Sequence, residues 1–226
     1  MRARDLALLG LGVGALLIGG CAAVPFREVD LVSVQGIDPA LLREQFALAL
    51  PVKFRVVNSV AFEFKGHAFA AIGLTDVDTS RGTFTLVALH PAGGLKLLEL
   101  SGDADVVQSS FAAEEFSRWD GLAEVVADDT RGIYFDRVPA EDATVSKGRY
   151  RIYFRQPAGD GEIEHIFAGS SRLLVEKRYY ENGSKVWSAS YYEYRREGGK
   201  LYPGGIILEN HQYGYQLVVR LKEIRS

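Results

Sequence analysis

Any catalytic or metal-binding reading of this chain starts from its four histidines, its adjacent carboxylates and one serine pair. His67, His90, His165 and His211 are too far apart in sequence to form a ligand set at informative spacing. In Glu162-Ile163-Glu164-His165 a histidine does meet carboxylates that would suit a divalent cation. If that run is a strand, alternation sends both glutamates to one face and the histidine to the other, so it reads as a solvated face. Gly169-Ser170-Ser171 lacks the second glycine of a nucleophile elbow, and neither a P-loop nor a dinucleotide fingerprint occurs. Glu114-Glu115 and Asp128-Asp129 are sequence neighbours that do not share a helix face, so they read as solvating and capping helix ends. What remains for chemistry is proton transfer in an enclosed pocket bearing Tyr150, Tyr191, Glu193, Tyr194 and Arg195. No catalytic set, no metal site and no cofactor is expected.

Cys21 is the residue whose surroundings specify a reaction, and it is the only cysteine, so no disulfide can form within the chain. Arg2 and Arg4 form a basic start, Leu6 to Ile18 an apolar stretch too short for a comfortable membrane span, and Gly19-Gly20 the small residues a signal peptidase needs. The Ile-Gly-Gly-Cys ending resembles the lipobox of bacterial lipoproteins. That resemblance implies removal of residues 1–20, acylation of Cys21 and anchoring to membrane lipid, and Ala22 in place of aspartate implies the outer membrane. Each buried methylene of such an anchor contributes about 0.8 kcal/mol, so several chains hold firmly. Residues 21–34 are expected to be a lipidated tether, and 35–226 one domain.

The elements that must position everything else are strands. From Val52 onward apolar residues recur with period two between glycine and proline turns. Phe54, Val56, Val60, Phe62 and Phe64 share one face, opposite Arg55, Ser59, Glu63 and Lys65. Tyr150, Ile152 and Phe154 alternate with arginines and Tyr153, and Tyr213 to Leu221 alternate near the end. Asn182-Gly183 suits a type I′ turn pairing 173–180 with 185–194. Asp38-Pro39 should cap a short helix to about Leu48, and Ala112, Phe116, Trp119, Ala123 and Val126 repeat at helical spacing. The fold class is therefore mainly β: a curved antiparallel half-barrel sheet with a few covering helices (α+β). A net charge of −3 gives no basic excess, so nucleic acid is not an expected partner.

Asn182-Gly183, Trp187, Tyr191, Tyr194, Pro203 and the strand ending at Leu221 resemble the outer-membrane lipoprotein receptors of the LolB family. His90-Pro91-Ala92-Gly93 followed by Leu95, Leu97, Leu98 and Leu100 resembles the Pro-Leu-Gly turn and leucine-rich strand of the same proteins. The resemblance covers roughly half the chain after the signal. It implies a half-open β-barrel with a helical lid, shared with LolA carriers, and a membrane-proximal turn at Pro91, Ala92 and Gly93. Ala92 stands where the family exposes a large apolar residue, which marks this chain as a divergent relative.

What the resemblance implies for function is an apolar cavity for acyl chains, with affinity from burial at about 25 cal/mol per Å². Candidate lining residues are Phe62, Phe64, Phe84, Leu86, Tyr150, Ile152, Phe154, Leu173, Trp187, Tyr191, Tyr215 and Leu217. The same residues could instead interdigitate into a solid core. The expected partner is a lipoprotein, a fatty acid or another apolar ligand, bound by a monomer facing the periplasm and serving lipoprotein or lipid trafficking. The alternatives are an assembly scaffold presenting Tyr179, Tyr180, Tyr191, Tyr192 and Tyr202, and an enzyme acting on an enclosed hydrophobic substrate.

Overall fold

Alternation is realised as fourteen strands in the computed structural model, which describes residues 24–64 and 67–225. The chain enters through α1 (Pro39–Ala49). It then forms β1 (Lys53–Phe64), β2 (His67–Asp78), β3 (Thr83–Leu89), β4 (Lys96–Gly102) and β5 (Val107–Ala112). Two helices follow, α2 (Glu114–Ser117) and α3 (Leu122–Tyr134). The remaining strands are β6 (Thr144–Lys147), β7 (Arg151–Ala158), β8 (Gly161–Ala168), β9 (Leu173–Glu181) and β10 (Ser184–Tyr192), the short hairpin β11 (Arg195–Glu197) with β12 (Lys200–Tyr202), then β13 (Gly205–Asn210) and β14 (Tyr215–Arg225). Twelve strands form one antiparallel sheet in the order β5-β4-β3-β2-β1-β14-β13-β10-β9-β8-β7-β6. The last strand pairs with the first, so β1 sits in the middle, while β5 and β6 remain as unjoined edges of a half-barrel.

Local chemistry explains the joints. The Asp38 carboxylate accepts from the Ala40 and Leu41 amides at 2.8 and 3.3 Å, so α1 begins where Asp38-Pro39 places it. Asn182 and Gly183 both take positive φ, 49° and 78°, the pair that a type I′ turn requires, and β9 and β10 pair from Glu181↔Ser184. The helical run expected from Ala112 is broken instead. Ala112 ends β5, and Gly121 at φ 77° separates α2 from α3, so the chain turns back across the sheet. A side chain at Gly121 would be forced into the left-handed region.

Cross-strand register fixes which side chains share the concave face. Phe54 lies opposite Val77, which lies opposite Phe84. Phe62 lies opposite Leu217, which lies opposite Leu208. Ile152 lies opposite Phe167, and Tyr191 opposite Ile206. This face is filled on the β7–β10 side by α1 and the segment before it, through Val34, Ile37, Leu42, Phe46 and Leu50. Phe46 meets Phe167 edge-on at 5.1 Å, and Phe167 meets Phe154 at 5.5 Å. Of the stretch expected to be a tether, Phe26 and Val34 are buried against the domain. Phe26 is buried, stacks on Tyr192 at 5.3 Å and sits beneath the Arg220 guanidinium, whose nitrogen donates to the Pro25 carbonyl at 2.8 Å. Gly205 makes room for that ring, since a Cβ there would fall 2.2 Å from Phe26. Residues 1–23, including Cys21 and its expected acylation, lie outside the described residues. Among the described residues no helix is long and apolar enough to cross a membrane.

Candidate functional site: the concave face beneath α3

The C-terminal carbonyls of a helix have no partners within the helix, and α3 ends inside the half-barrel. Three neighbouring strands each send one inward side chain to that end. Tyr191 of β10 donates to the Ile133 carbonyl at 2.8 Å, and the Lys177 ammonium of β9 to that of Phe135 at 2.6 Å. His165 of β8 places Nε2 2.6 Å from the Asp136 carbonyl. From β1, Asn58 donates to the Tyr134 hydroxyl at 3.0 Å. Residues 133–137 thus form a strap through the concave face, held on both sides. Higher on α3, the Tyr215 hydroxyl donates to Asp129 at 2.6 Å.

Burial without matching charge decides the protonation of these groups. Desolvation, the largest cause, lowers the Lys177 amine to about 7, with the Asp136 charge opposing and Arg137 assisting. Desolvation and then the Lys177 charge lower His165 to about 4, so it is neutral at pH 7. Desolvation raises Asp129 to about 7 against its hydrogen bonds from Tyr215 and Asn210. Burial also raises the Tyr191 and Tyr194 hydroxyls, which donate to backbone carbonyls.

Asp129 and His165 oppose each other in acid. Between about pH 4 and 7 the folded protein holds a proton on Asp129 that the unfolded chain releases, so this group makes stability fall as pH rises. Between about pH 4 and 6.5 the unfolded chain protonates His165 while the folded one does not, so this group makes stability rise. Asp129→Asn is expected to expose the histidine's rise, and His165→Gln the aspartate's fall. Urea midpoints from pH 4 to 7 measure both, and parallel curves for all three proteins would refute the assignment.

Two spaces flank the strap. One is a groove of about 440 Å³ between α3 and the sheet, with Val125, Asp128, Asp129 and Gly132 on the helix side and Ile163, Lys177, Tyr179, Trp187 and Leu208 on the sheet side. Its volume lies within the range of ligand clefts. Trp187 packs 3.6 Å from where a Cβ on Gly132 would sit, stacks with Tyr179 at 5.9 Å, and has the Lys177 ammonium 5.4 Å from its ring centre. The other is a closed pocket of only about 10 Å³ bounded by Phe54, Val56, Asn58, Tyr134, Arg137, Tyr202 and Leu221. The expected hollow is therefore largely occupied by protein. A third space, about 1000 Å³ and open, lies at the sheet end where the outward row Arg225, Arg55, Asp76, Thr85, Ser101 and Gln108 meets Phe54, Val77, Phe84 and Val106, so its lining is mixed.

Register places Phe62, Phe84, Leu86, Ile152, Phe154, Trp187, Tyr191, Tyr215 and Leu217 on the concave face. Ile152, Phe154 and Tyr191 are sealed in the core, and Trp187 borders the groove. Tyr150 precedes β7, under the Arg149 guanidinium at 5.1 Å from its ring centre. Leu173 is adjacent to Leu174, the residue opposite Phe167, and packs partly buried on the core. Phe64 pairs through its backbone with Tyr215. Pro91, Ala92 and Gly93 form the β3–β4 turn, closed by the His90 amide on the Leu95 carbonyl at 2.7 Å, with Leu95 72% exposed at its base.

Two readings of polar residues are corrected. Glu164 and His165 do lie on opposite faces, yet neither is solvated: Glu164 is 1% exposed beneath Arg155 at 2.7 Å and Arg178 at 3.2 Å. Asp129 does not cap a helix end but is hydrogen-bonded within the concave face. The five residues considered for proton transfer are not gathered into one site, because Glu193 and Arg195 are exposed while Tyr191 and Tyr194 each donate to a carbonyl. Nor do the five tyrosines considered for a contact surface form one, since Tyr191 and Tyr202 are buried. Lysine and histidine anchors under the strap were missed, since a lone Lys177 in an alternating run looks solvated.

A half-barrel with a helix and strap across its concave face defines the class of this protein as a lidded antiparallel half-barrel. The chain shares this fold with solved structures. It is similar to a LolA superfamily protein from Nitrosomonas europaea, with a TM-score of 0.53 and 11% identity over 84% of this chain and 93% of that one. A putative outer membrane lipoprotein-sorting protein domain from Vibrio parahaemolyticus aligns with a TM-score of 0.48 and 8% identity over 82% of this chain and 91% of its own. A DUF1329 family protein from Desulfovibrio piger aligns with a TM-score of 0.46 and 11% identity over 82% and 90%. No protein-family model and no curated protein matches the sequence.

Proposed function

We propose that this protein is a lipid-anchored, periplasm-facing protein of the outer membrane that holds an acyl chain or another apolar ligand between its sheet and α3, in lipoprotein or lipid trafficking. The observation that carries the reading is the groove of about 440 Å³ under α3, whose sheet wall sets Trp187, Tyr179, Ile163 and Leu208 beside Lys177, Glu181 and Asn210. The fold and the signal-like start through Cys21 support the envelope location. Because α1 and the strap fill the rest of the concave face, the ligand enters along α3 and the helix is the part that yields.

The chain from Ala22 onward contains every described residue and is suited to the test. A neutral apolar dye, N-phenyl-1-naphthylamine, is expected to bind saturably at one site. Trp119→Phe leaves Trp187 as the sole tryptophan and should retain quenching by the dye. Trp187→Ala, which removes the largest apolar wall, should weaken binding about ten-fold. Absence of saturable binding, or binding indifferent to Trp187, would overturn the reading.

A further inference from the structure

Around the strap, burial shifts Lys177, His165 and Asp129 toward their neutral forms, which lowers the cost of buried charge. Arginine cannot do so, because its guanidinium stays protonated throughout the accessible pH range. Arg137 is 4% exposed, and its Nε has no hydrogen-bond partner. No ion pair within 4.0 Å joins it to any carboxylate among the described residues. Its charge acts on Tyr134, Tyr191, Tyr194, Tyr202 and Lys177, four hydroxyls and an amine. Its guanidinium lies 5.7 Å from the centre of the Phe54 ring. A buried guanidinium with no counter-charge within 4.0 Å is costly, and one anion supplying paired acceptors would offset that cost.

We propose that Arg137 is the seat for an anionic head group, a carboxylate or a phosphate monoester, borne by the apolar chain that this protein holds. The inference rests on the apolar-ligand reading above and deepens it: the tail lies in the groove beneath α3, and the head group reaches past residues 133–137 to Arg137 in the pocket on their other side. The neighbouring polar hydrogens come from Asn58 and Tyr134, which border the same pocket, and the remaining walls, Val56, Ile206, Val219 and Leu221, suit methylene groups. The pocket of about 10 Å³ has room for one water at most. Binding therefore moves the rings of Phe54 and Tyr202, which border it.

The test is displacement of N-phenyl-1-naphthylamine by decanoate, decyl phosphate and decanol, which share a chain and differ in head group. At least one anionic competitor should act at about ten-fold lower concentration than decanol on the parent protein, as expected for a charge-assisted hydrogen-bonded pair. The stronger of the two identifies the head-group chemistry. Arg137→Met should erase the preference while leaving displacement by decanol unchanged, and Arg137→Lys should keep part of it. If decanol competes as well as both anions on the parent protein, the head-group inference fails while the apolar-ligand reading stands. That comparison needs no variant, so poor folding of Arg137→Met does not shelter the proposal. If inorganic phosphate alone displaces the dye as well as decyl phosphate does, the site is a bare anion site and the inference also fails. If the dye does not bind at all, the apolar-ligand reading itself has failed.

Discussion

Lys177→Met should make the protein more stable than the parent chain at pH 6, with an advantage that shrinks as pH rises until the two stability curves cross near pH 9. The amine lies near 7 in the folded protein, well below its ordinary value near 10.4 in an unfolded chain. Below pH 7 both states are protonated, and the folded state carries the full cost of an ammonium that is 1% exposed. Between about pH 7 and 10 the unfolded chain binds the extra proton, so parent stability rises with pH, by several kcal/mol over the window. Methionine fills similar space without charge and removes that rise. It also leaves the Phe135 carbonyl without its donor, a loss of about 1–3 kcal/mol at every pH. Relief outweighs loss in acid, and near pH 9 the relief left, about 2 kcal/mol, has fallen to the size of the loss. Urea unfolding at half-unit steps from pH 6 to 9.5 avoids tyrosine ionisation and locates the crossing. Curves that run parallel would mean that Lys177 is charged and well solvated in the folded protein, and the strap would need another explanation.

The same lysine shows where sequence reading reaches its limit. Alternation, the Asn182-Gly183 turn and the Asp38-Pro39 cap are local signals, each decided by neighbours within a few residues, and each led to the observed element. Face assignment followed, because a period of two leaves only two choices for Phe62, Trp187 or Leu217. The contacts that organise the concave face are not local. Lys177 reaches Phe135 across 42 positions and Tyr191 reaches Ile133 across 58, with nothing near either residue to announce it. A glutamate such as Glu164 scores as solvated until two arginines from adjoining strands close over it. The filling of the hollow was equally hidden. Alternation tells which side chains point inward but not whether α1, Phe26 to Ile37 and the strap will already stand where a ligand was expected. At Gly121 the helical spacing of Ala112 to Val126 was real, but one left-handed residue redirected the chain.

Whether the filled side of the half-barrel is permanent wall or movable lid is decided by the cost of emptying it. Phe167→Ala should destabilise the protein by about 3–5 kcal/mol, because the ring is 1% exposed and the surrounding core can only partly collapse into the space it leaves. Phe46→Ala on α1 should cost a similar amount, and the two together less than their sum. The shortfall, about 0.5–1.5 kcal/mol, is the edge-to-face contact that docks α1 on β8. With α1 held that firmly, neither substitution should change dye binding beneath α3, since the groove is bordered by Trp187 and Gly132 and not by Phe46. A different result would reassign the lid. If Phe46→Ala costs less than about 1 kcal/mol and strengthens dye binding, α1 is the element that opens, and the ligand occupies the β7–β8 side of the face now filled by Leu42, Phe46 and Leu50. Denaturant midpoints for the two single variants and the double variant, with dye titrations on each, separate the two arrangements.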